Sequence, residues 1–247
     1  MTVSAVIFDM DGLMLDTEPL YKMAWQRAAE ECGHPISEEL YAELIGRSRV
    51  EGEKILGEAF GAAFRVEDFH AACARCEAAA FAKNLPAIKP GLEGLLDLLE
   101  ARGIPKAVAT STERAIAKKQ LGGLGLLPRF TVIATGDEVI TGKPAPDLFL
   151  LAARRLGVEA SRCLVLEDSE AGVMAAHRAG MRVYCVPDIN EPSAEIAALT
   201  DGRFGSLVEV AQRLQGLQEV EIDVTAGEDH AGASDFARQL SEKHSSQ

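Results

Sequence analysis

The chain has 247 residues, 47 % hydrophobic and 26 % charged, enough for one large domain or for a core with a smaller second part. Its formal net charge of −13 argues against nucleic acid and anionic membranes as partners, because both bind clusters of Lys and Arg. A small phosphorylated molecule remains compatible, since a few local cations suffice to bind it. With no run of about 18 apolar residues and no signal-like start, we expect a cytoplasmic protein. The sequence leaves the oligomeric state open, and we expect a monomer.

The first predicted element is a buried strand that ends in two carboxylates. Val3 to Phe8 is largely apolar, and Asp9-Met10-Asp11-Gly12 follows it directly. Two neighbouring acids repel each other and lose hydration unless a cation or a proton lies between them. We therefore predict a Mg²⁺ site of carboxylate and backbone oxygens, with one oxygen of Asp9 free for nucleophilic attack.

Residues 16–88 show helical spacing only. Asp16 or Thr17 is expected to cap the first helix, which has Pro19 in its first turn. Further helical patterns lie near residues 40–45, 50–60 and 69–81. Because no strand is predicted here, we expect an inserted all-helical cap.

From Lys89 onward, strands alternate with helices. Strands are predicted at 104–110, 130–134, 163–166 and 182–186, and helices at 92–102, 113–121, 147–156 and 170–179. This alternation predicts an α/β fold, a Rossmann-like parallel sheet covered by helices on both faces. The expected organisation is a core of residues 1–15 and 89–216, a cap of 16–88, and an acidic tail of 217–247 that is expected to be mobile or loosely docked.

Polar residues fall at the predicted carboxyl ends of the strands, where parallel sheets bind ligands. Thr110 and Ser111 follow the second strand and precede a helix N-terminus, an arrangement that suits a phosphate. Lys143 lies in a stiff turn before Pro144 and could neutralise a phosphate oxygen or pair with Asp9. Glu167 and Asp168 follow the fourth strand.

These groups suit metal-assisted phosphoryl transfer. Asp9 would attack phosphorus and form an aspartyl-phosphate, while Asp11 would protonate the leaving oxygen and later take a proton from water. The predicted metal ligands are Asp9, Asp11 through its backbone carbonyl, Asp168 and Glu167. The metal and Lys143 are expected to keep the pKa of Asp9 low.

Four segments resemble, in order, the four motifs of the haloacid dehalogenase-like hydrolase superfamily. They are Phe8 to Thr17, Thr110-Ser111, Lys143-Pro144 and Glu167 to Gly172. The helical insert resembles the cap of the β-phosphoglucomutase-like branch, and the whole resemblance covers about residues 3 to 210. It implies Mg²⁺, a phosphoenzyme on Asp9 and a cap that closes over the substrate. The dehalogenases of the superfamily lack the acid at Asp11, so the resemblance favours phosphotransfer.

Two cap positions bear on the choice between phosphatase and mutase. The similar sugar-phosphate mutases carry His where this chain has Tyr21 and Lys where it has Ile45, although Gly46, Ser48 and Arg49 match their cap loop. The resemblance thus implies a phosphatase for a small phosphorylated metabolite such as a sugar phosphate. A mutase is the alternative, and a non-catalytic metabolite-binding protein is a less favoured one. Arg49 and Glu18 are the cap residues expected to reach the substrate.

Several conspicuous side chains are expected to be structural. Cys73 and Cys76 have metal-like spacing but no second pair, so we interpret them as buried thiols. Trp25 is expected in the cap core. The five His residues show no ligand spacing and are assigned no role; they are His34, His70, His177, His230 and His244.

Overall fold

The computed structural model describes residues 3–44 and 49–216, and the predicted C-terminal tail lies outside them. The strands are β1 (Ala5–Phe8), β2 (Leu15–Asp16), β3 (Ala87–Ile88), β4 (Lys106–Thr110), β5 (Val132–Thr135), β6 (Cys163–Glu167), β7 (Arg182–Cys185) and β8 (Gly202–Arg203). The helices are α1 (Glu18–Glu31), α2 (Glu38–Leu44), α3 (Arg49–Phe60), α4 (Val66–Lys83), α5 (Leu92–Ala101), α6 (Arg114–Gly123), α7 (Asp147–Leu156), α8 (Glu170–Arg178), α9 (Ala194–Ala197) and α10 (Leu207–Gln215).

Six strands form one parallel sheet in the order β5-β4-β1-β6-β7-β8. The chain moves outward from β1 in both directions, so the carboxyl end of β1 is the point where the strand order reverses. Ligands of doubly wound sheets bind at this point. The first predicted motif, which begins at Asp9, therefore lies at the centre of the ligand-binding edge.

Helices cover both faces of the sheet, which confirms the predicted fold class. Val6 and Phe8 of β1 face a core shared with leucines of α5 and α10, while Ala5 and Ile7 face the opposite core, shared with α7 and α8. This alternation follows from the two-residue period of a strand. Because both faces of β1 are buried, all four of its residues are apolar, and the first polar side chain is that of Asp9, just beyond its end.

Helices α1 to α4 lie between β2 and β3 and share a third apolar cluster. Trp25 packs against this cluster with its ring centroid 5.5 Å from that of Phe69, as expected for a cap-core residue. Cys73 and Cys76 are buried in the same cluster, and neither forms a disulfide. Their interpretation as buried thiols is confirmed.

The prediction that no strand occurs between residues 16 and 88 is wrong. Leu15 pairs with Ile88 and Asp16 with Ala87 in an antiparallel ribbon where the chain enters and leaves the helical insert. Two residues are too few to show strand alternation in a sequence. Asp16 therefore belongs to β2, and Thr17 is the N-cap position of α1, without a side-chain capping bond.

Two further elements differ from the prediction. Helix α6 continues through Gly122 and Gly123, beyond the predicted end at residue 121, and the chain turns at Gly125, with φ of 70°. The edge strand β8 and helix α10 were not predicted. Within the described ranges, no helix is long and apolar enough to cross a bilayer.

Candidate active site

Asp9 and Lys143 form the buried centre of the site. Asp9 directly follows β1, is only 6 % exposed, and its backbone N–H donates to Leu166 O at 3.0 Å. Lys143 Nζ contacts Asp9 Oδ1 and donates to Glu167 Oε1 at 2.6 Å. It also lies 4.8 Å from the ring centroid of Phe149. Of the two roles considered for Lys143, this structure shows the pairing with Asp9.

Glu167, the last residue of β6, holds Lys143 in place. One oxygen accepts from Lys143, and Oε2 accepts from the backbone N–H of Ser169 at 2.7 Å and from its hydroxyl at 3.0 Å. Ser169 caps α8 by accepting from Gly172 N at 3.1 Å. A Cβ on Gly172 would overlap the Glu167 carboxylate, so this close packing requires glycine. The role of Gly172 was not predicted.

Asp11 is held by two threonines. Its Oδ2 accepts from the hydroxyls of Thr112 at 2.7 Å and Thr110 at 3.1 Å. Its Oδ1 is buried and has no hydrogen-bond partner among the described residues. The contact between Thr112 and Asp11 was not predicted from the sequence; Thr112 lies two residues after Thr110, and both hydroxyls reach the same oxygen.

Three carboxylates are close enough to share one metal ion. Ligand oxygens of Asp9, Glu167 and Asp168 lie within 4.8 Å of one another. An all-oxygen set of this kind suits a hard divalent cation such as Mg²⁺. Gly12 makes room for Asp168: its φ is +85°, and a Cβ there would overlap Asp168 Oδ2. Both oxygens of Glu167 already accept hydrogen bonds, whereas Lys143 contacts only Oδ1 of Asp9, so a ligand oxygen is more readily available from Asp9 and Asp168.

The sequence of this chain matches a family model over residues 3–180, that of the haloacid dehalogenase-like hydrolases. The chain belongs to the haloacid dehalogenase-like hydrolase family. The phosphorylated carbohydrates phosphatase of Thermotoga maritima is 37 % identical over 220 residues, which cover 88 % of this chain and 100 % of that protein. The fructose-1-phosphate phosphatase YqaB of Escherichia coli is 35 % identical, covering 72 % of this chain and 93 % of its own.

A solved structure gives the same result for the fold. The putative beta-phosphoglucomutase from Thermotoga maritima aligns with a TM-score of 0.71 at 35 % identity, covering 87 % of this chain and 100 % of that one. The family and its phosphatase relatives establish this chain as a phosphoric monoester hydrolase.

In this haloacid dehalogenase-like phosphatase, the carboxylates of Asp9, Glu167 and Asp168 surround a single ammonium group, that of Lys143. Burial raises the pKa of Asp9 and of Asp168, and the carboxylate of Glu167 acts in the same direction, while the Lys143 ammonium opposes both. Burial works against the charge of Lys143, yet Asp9 and Glu167 outweigh it and hold its pKa above the usual value. A divalent cation among these carboxylates would lower the pKa of both aspartates.

Burial also raises the pKa of the Asp11 carboxyl, while the hydroxyls of Thr112 and Thr110 oppose the shift. A raised carboxyl pKa keeps a larger protonated fraction near neutral pH, as a general acid requires. The two aspartates differ in their direct contacts: Asp9 contacts the ammonium of Lys143, whereas Asp11 accepts hydrogen bonds from threonine hydroxyls.

The remaining predicted site residues are placed less centrally. Ser111 is exposed just beyond β4. Glu18, the first residue of α1, accepts a hydrogen bond from the Tyr41 hydroxyl at 2.8 Å, so it contacts α2 of the cap. Tyr21 packs edge-on against Phe81, with ring centroids 5.1 Å apart. Arg49 is the first residue of α3, and its side chain lies outside what the structure describes.

Proposed function

We propose that this phosphatase uses Mg²⁺ to hydrolyse a small phosphorylated metabolite, such as a sugar phosphate, through an aspartyl-phosphate on Asp9. The observation that carries the proposal is the buried contact between Asp9 and Lys143, beside the carboxylate of Asp168. Relatives named as phosphatases of phosphorylated carbohydrates and of fructose 1-phosphate support the substrate class. A cytoplasmic location and a monomeric state are part of the proposal.

Each residue has a distinct proposed role. Asp9 attacks phosphorus, and the ammonium of Lys143 favours its ionised form and attracts the phosphate. Asp11 supplies the proton to the leaving oxygen, with its unpartnered Oδ1 as the atom that reaches it. Thr110 and Ser111 are proposed to bind the phosphate, Thr110 in addition to its hydrogen bond with Asp11.

The metal would be held by Asp9, Asp168 and the backbone carbonyl of Asp11, with Glu167 as a further acidic neighbour. Its charge would stabilise the negative oxygens that develop around phosphorus. Arg49 and Glu18 remain proposed cap contacts to the substrate. Dialysis against EDTA should abolish phosphate release, and added Mg²⁺ should restore it.

Substitution of Asp9 tests the covalent route. D9N removes the nucleophilic oxygen and keeps the shape of the side chain, so we expect kcat to fall by at least about 10³-fold. The assay is phosphate release from a panel of sugar phosphates, nucleotides and phosphoglycolate, with circular dichroism as the check on folding. Appreciable turnover by a folded D9N enzyme would remove Asp9 as the nucleophile. Wild-type protein that binds Mg²⁺ but releases phosphate from no compound would favour a binding protein.

A sugar-phosphate mutase is the second candidate, because the solved relative at 35 % identity is named a putative beta-phosphoglucomutase. The two reactions differ in their products from β-glucose 1-phosphate: a mutase yields glucose 6-phosphate, and a phosphatase yields free phosphate. We expect free phosphate, since Tyr21 offers this cap an aromatic contact with Phe81 at the position where the mutases carry His. Glucose 6-phosphate as the main product would reverse the choice.

A further inference from the structure

A fourth carboxylate lies beside the candidate metal site without belonging to it. Asp188 follows β7, and its Oδ2 is 3.4 Å from the position that a Cβ on Gly12 would occupy. Asp168 Oδ2 lies against the same face of Gly12. Among the described residues, the carboxylates that could share one ion are those of Asp9, Glu167 and Asp168, so Asp188 stands outside that set.

Lys89 faces Asp188 on its other side. Its ammonium is 2.5 Å from Asp188 Oδ1 and 3.4 Å from Asp16 Oδ1, and its side chain is only 21 % exposed. The backbone N–H of Lys89 donates to Met14 O at 2.9 Å, which attaches it to the segment between β1 and β2. Asp188 therefore directs one oxygen at a cation, while the other lies against the side of Gly12 that Asp168 Oδ2 also approaches.

We propose that Asp188 is a positioning residue for the metal, adding negative charge to the cation site from outside the ligand set, and that Lys89 attenuates that charge. Mg²⁺ keeps several of its waters when it binds proteins, so carboxylates beyond the direct ligands can accept hydrogen bonds from them. The side chain of Asp188 is 17 % exposed, so solvent screens its field only in part. The inference rests on the metal site of the proposed function.

The test depends on the opposite charges of Asp188 and Lys89, which should act on the affinity for Mg²⁺ in opposite directions. D188N removes a negative charge next to the site and should raise the dissociation constant of Mg²⁺ about tenfold. K89M removes a neighbouring positive charge and leaves the side chain of Asp188 in place, so it should bind Mg²⁺ as tightly as the wild type or more tightly. A purely structural ion pair would instead make both variants bind Mg²⁺ more weakly.

The experiment is calorimetric titration of Mg²⁺ into EDTA-treated full-length protein without substrate. D97N is the matched control, because Asp97 also pairs with a cation, Arg129 at 2.6 Å, but on another part of the surface. Binding at least threefold weaker in D188N, with K89M and D97N no weaker than wild type, supports the inference. A smaller effect in D188N, or weaker binding in K89M or D97N, overturns it.

The outcome also separates this inference from the proposed function. If wild-type protein bound no Mg²⁺, the metal-dependent function and the inference would fall together. If wild type and D188N bound Mg²⁺ equally, only the role of Asp188 would fall. In the activity assay, D188N should need about tenfold more Mg²⁺ for half-maximal turnover and should reach a kcat close to that of wild type.

Discussion

Gly172 is a residue whose missing side chain keeps the site intact. A Cβ at this position of α8 would lie well inside 3.0 Å of the Glu167 carboxylate, and that carboxylate holds Lys143. Because Glu167 is fully buried at the end of a central strand, it has little room to yield. Gly172 therefore affects the position of Asp9 indirectly, through Glu167 and Lys143.

We predict that G172A lowers kcat at least tenfold and destabilises the fold by about 1–3 kcal/mol, as overpacking commonly does. The matched control is G94A, since Gly94 also lies within a helix but a Cβ there would meet nothing within 4 Å. G94A should raise the free energy of unfolding by up to about 1 kcal/mol and leave kcat unchanged. Urea unfolding and phosphate release measure the two effects; a G172A enzyme with wild-type kcat would contradict the argument.

Thr112 affects the pKa of the Asp11 carboxyl. Its hydroxyl donates to Asp11 Oδ2 and so lowers the pKa of a carboxyl that burial raises. We predict that T112V raises this pKa further and moves the basic limb of the kcat–pH profile to higher pH, while T112S, which keeps the hydroxyl, leaves it in place. A shift to lower pH in T112V would contradict the assignment of Asp11 as the proton donor.

Substitution of Asp11 itself should lower kcat far more than substitution of Thr112. D11N keeps the hydrogen-bonding oxygen but has no proton to give the leaving group, so kcat should fall by about 10²–10⁴. Rapid-quench measurement should show slow formation of the phosphoenzyme. A D11N enzyme within about tenfold of wild type would exclude Asp11 as general acid.

At the scale of elements, the residue that caps helix α8 also contacts a residue of the site. Ser169 caps this helix, and its hydroxyl also donates to Glu167. Ser206 caps α10 in the same way, accepting from Glu209 N at 3.4 Å, at a distance from the motifs along the chain. The two serines thus share one role in folding, and only Ser169 has a second contact in the site.

We predict that S169A and S206A each lower the free energy of unfolding by about 1 kcal/mol. Only S169A should also lower kcat, because Glu167 loses one of the donors that orient it. Thermal or urea unfolding gives the first quantity and phosphate release the second. An equal loss of kcat in S206A would show that the activity merely follows stability.

The site residues at strand ends could be predicted because a parallel sheet brings its carboxyl ends to one edge. Asp9 and Lys143 are 134 positions apart, yet each lies in a short segment with its own signal. The contacts of Gly12 with Asp168 and Asp188 depend on how two loops pass each other, which no local pattern encodes. The β2–β3 ribbon was missed because pairing over two residues leaves no periodicity to detect.

At the scale of the whole molecule, the buried carboxylates of the site oppose folding when they are ionised. The native state raises the pKa of Asp9, Asp11 and Asp168, so above about pH 4 these three carboxyls hold more protons in the native state than in the unfolded chain. The free energy of unfolding then falls as pH rises from the unfolded pKa of these aspartates, near 4, to their raised pKa in the folded state. Lys143 adds no slope there, since it stays charged in both states below its unfolded pKa near 10.4.

We therefore predict that EDTA-treated protein has a lower Tm at pH 8 than at pH 5.5, and that Mg²⁺ raises Tm most at pH 8. D9N, which cannot titrate at this position, should lose less Tm over the same range. Differential scanning calorimetry measures both. A wild-type Tm that climbed from pH 5.5 to pH 8 without metal would contradict the charge argument.

The β2–β3 ribbon joins the helical insert to the rest of the chain at a single place. Because Leu15 and Ile88 are paired neighbours, the chain leaves the core and returns to it at one place. A cap of different length or shape can be spliced in there without moving any strand of the main sheet. The part of the molecule that we propose contacts the substrate could thus change in evolution while the residues at the edge of the main sheet stay the same.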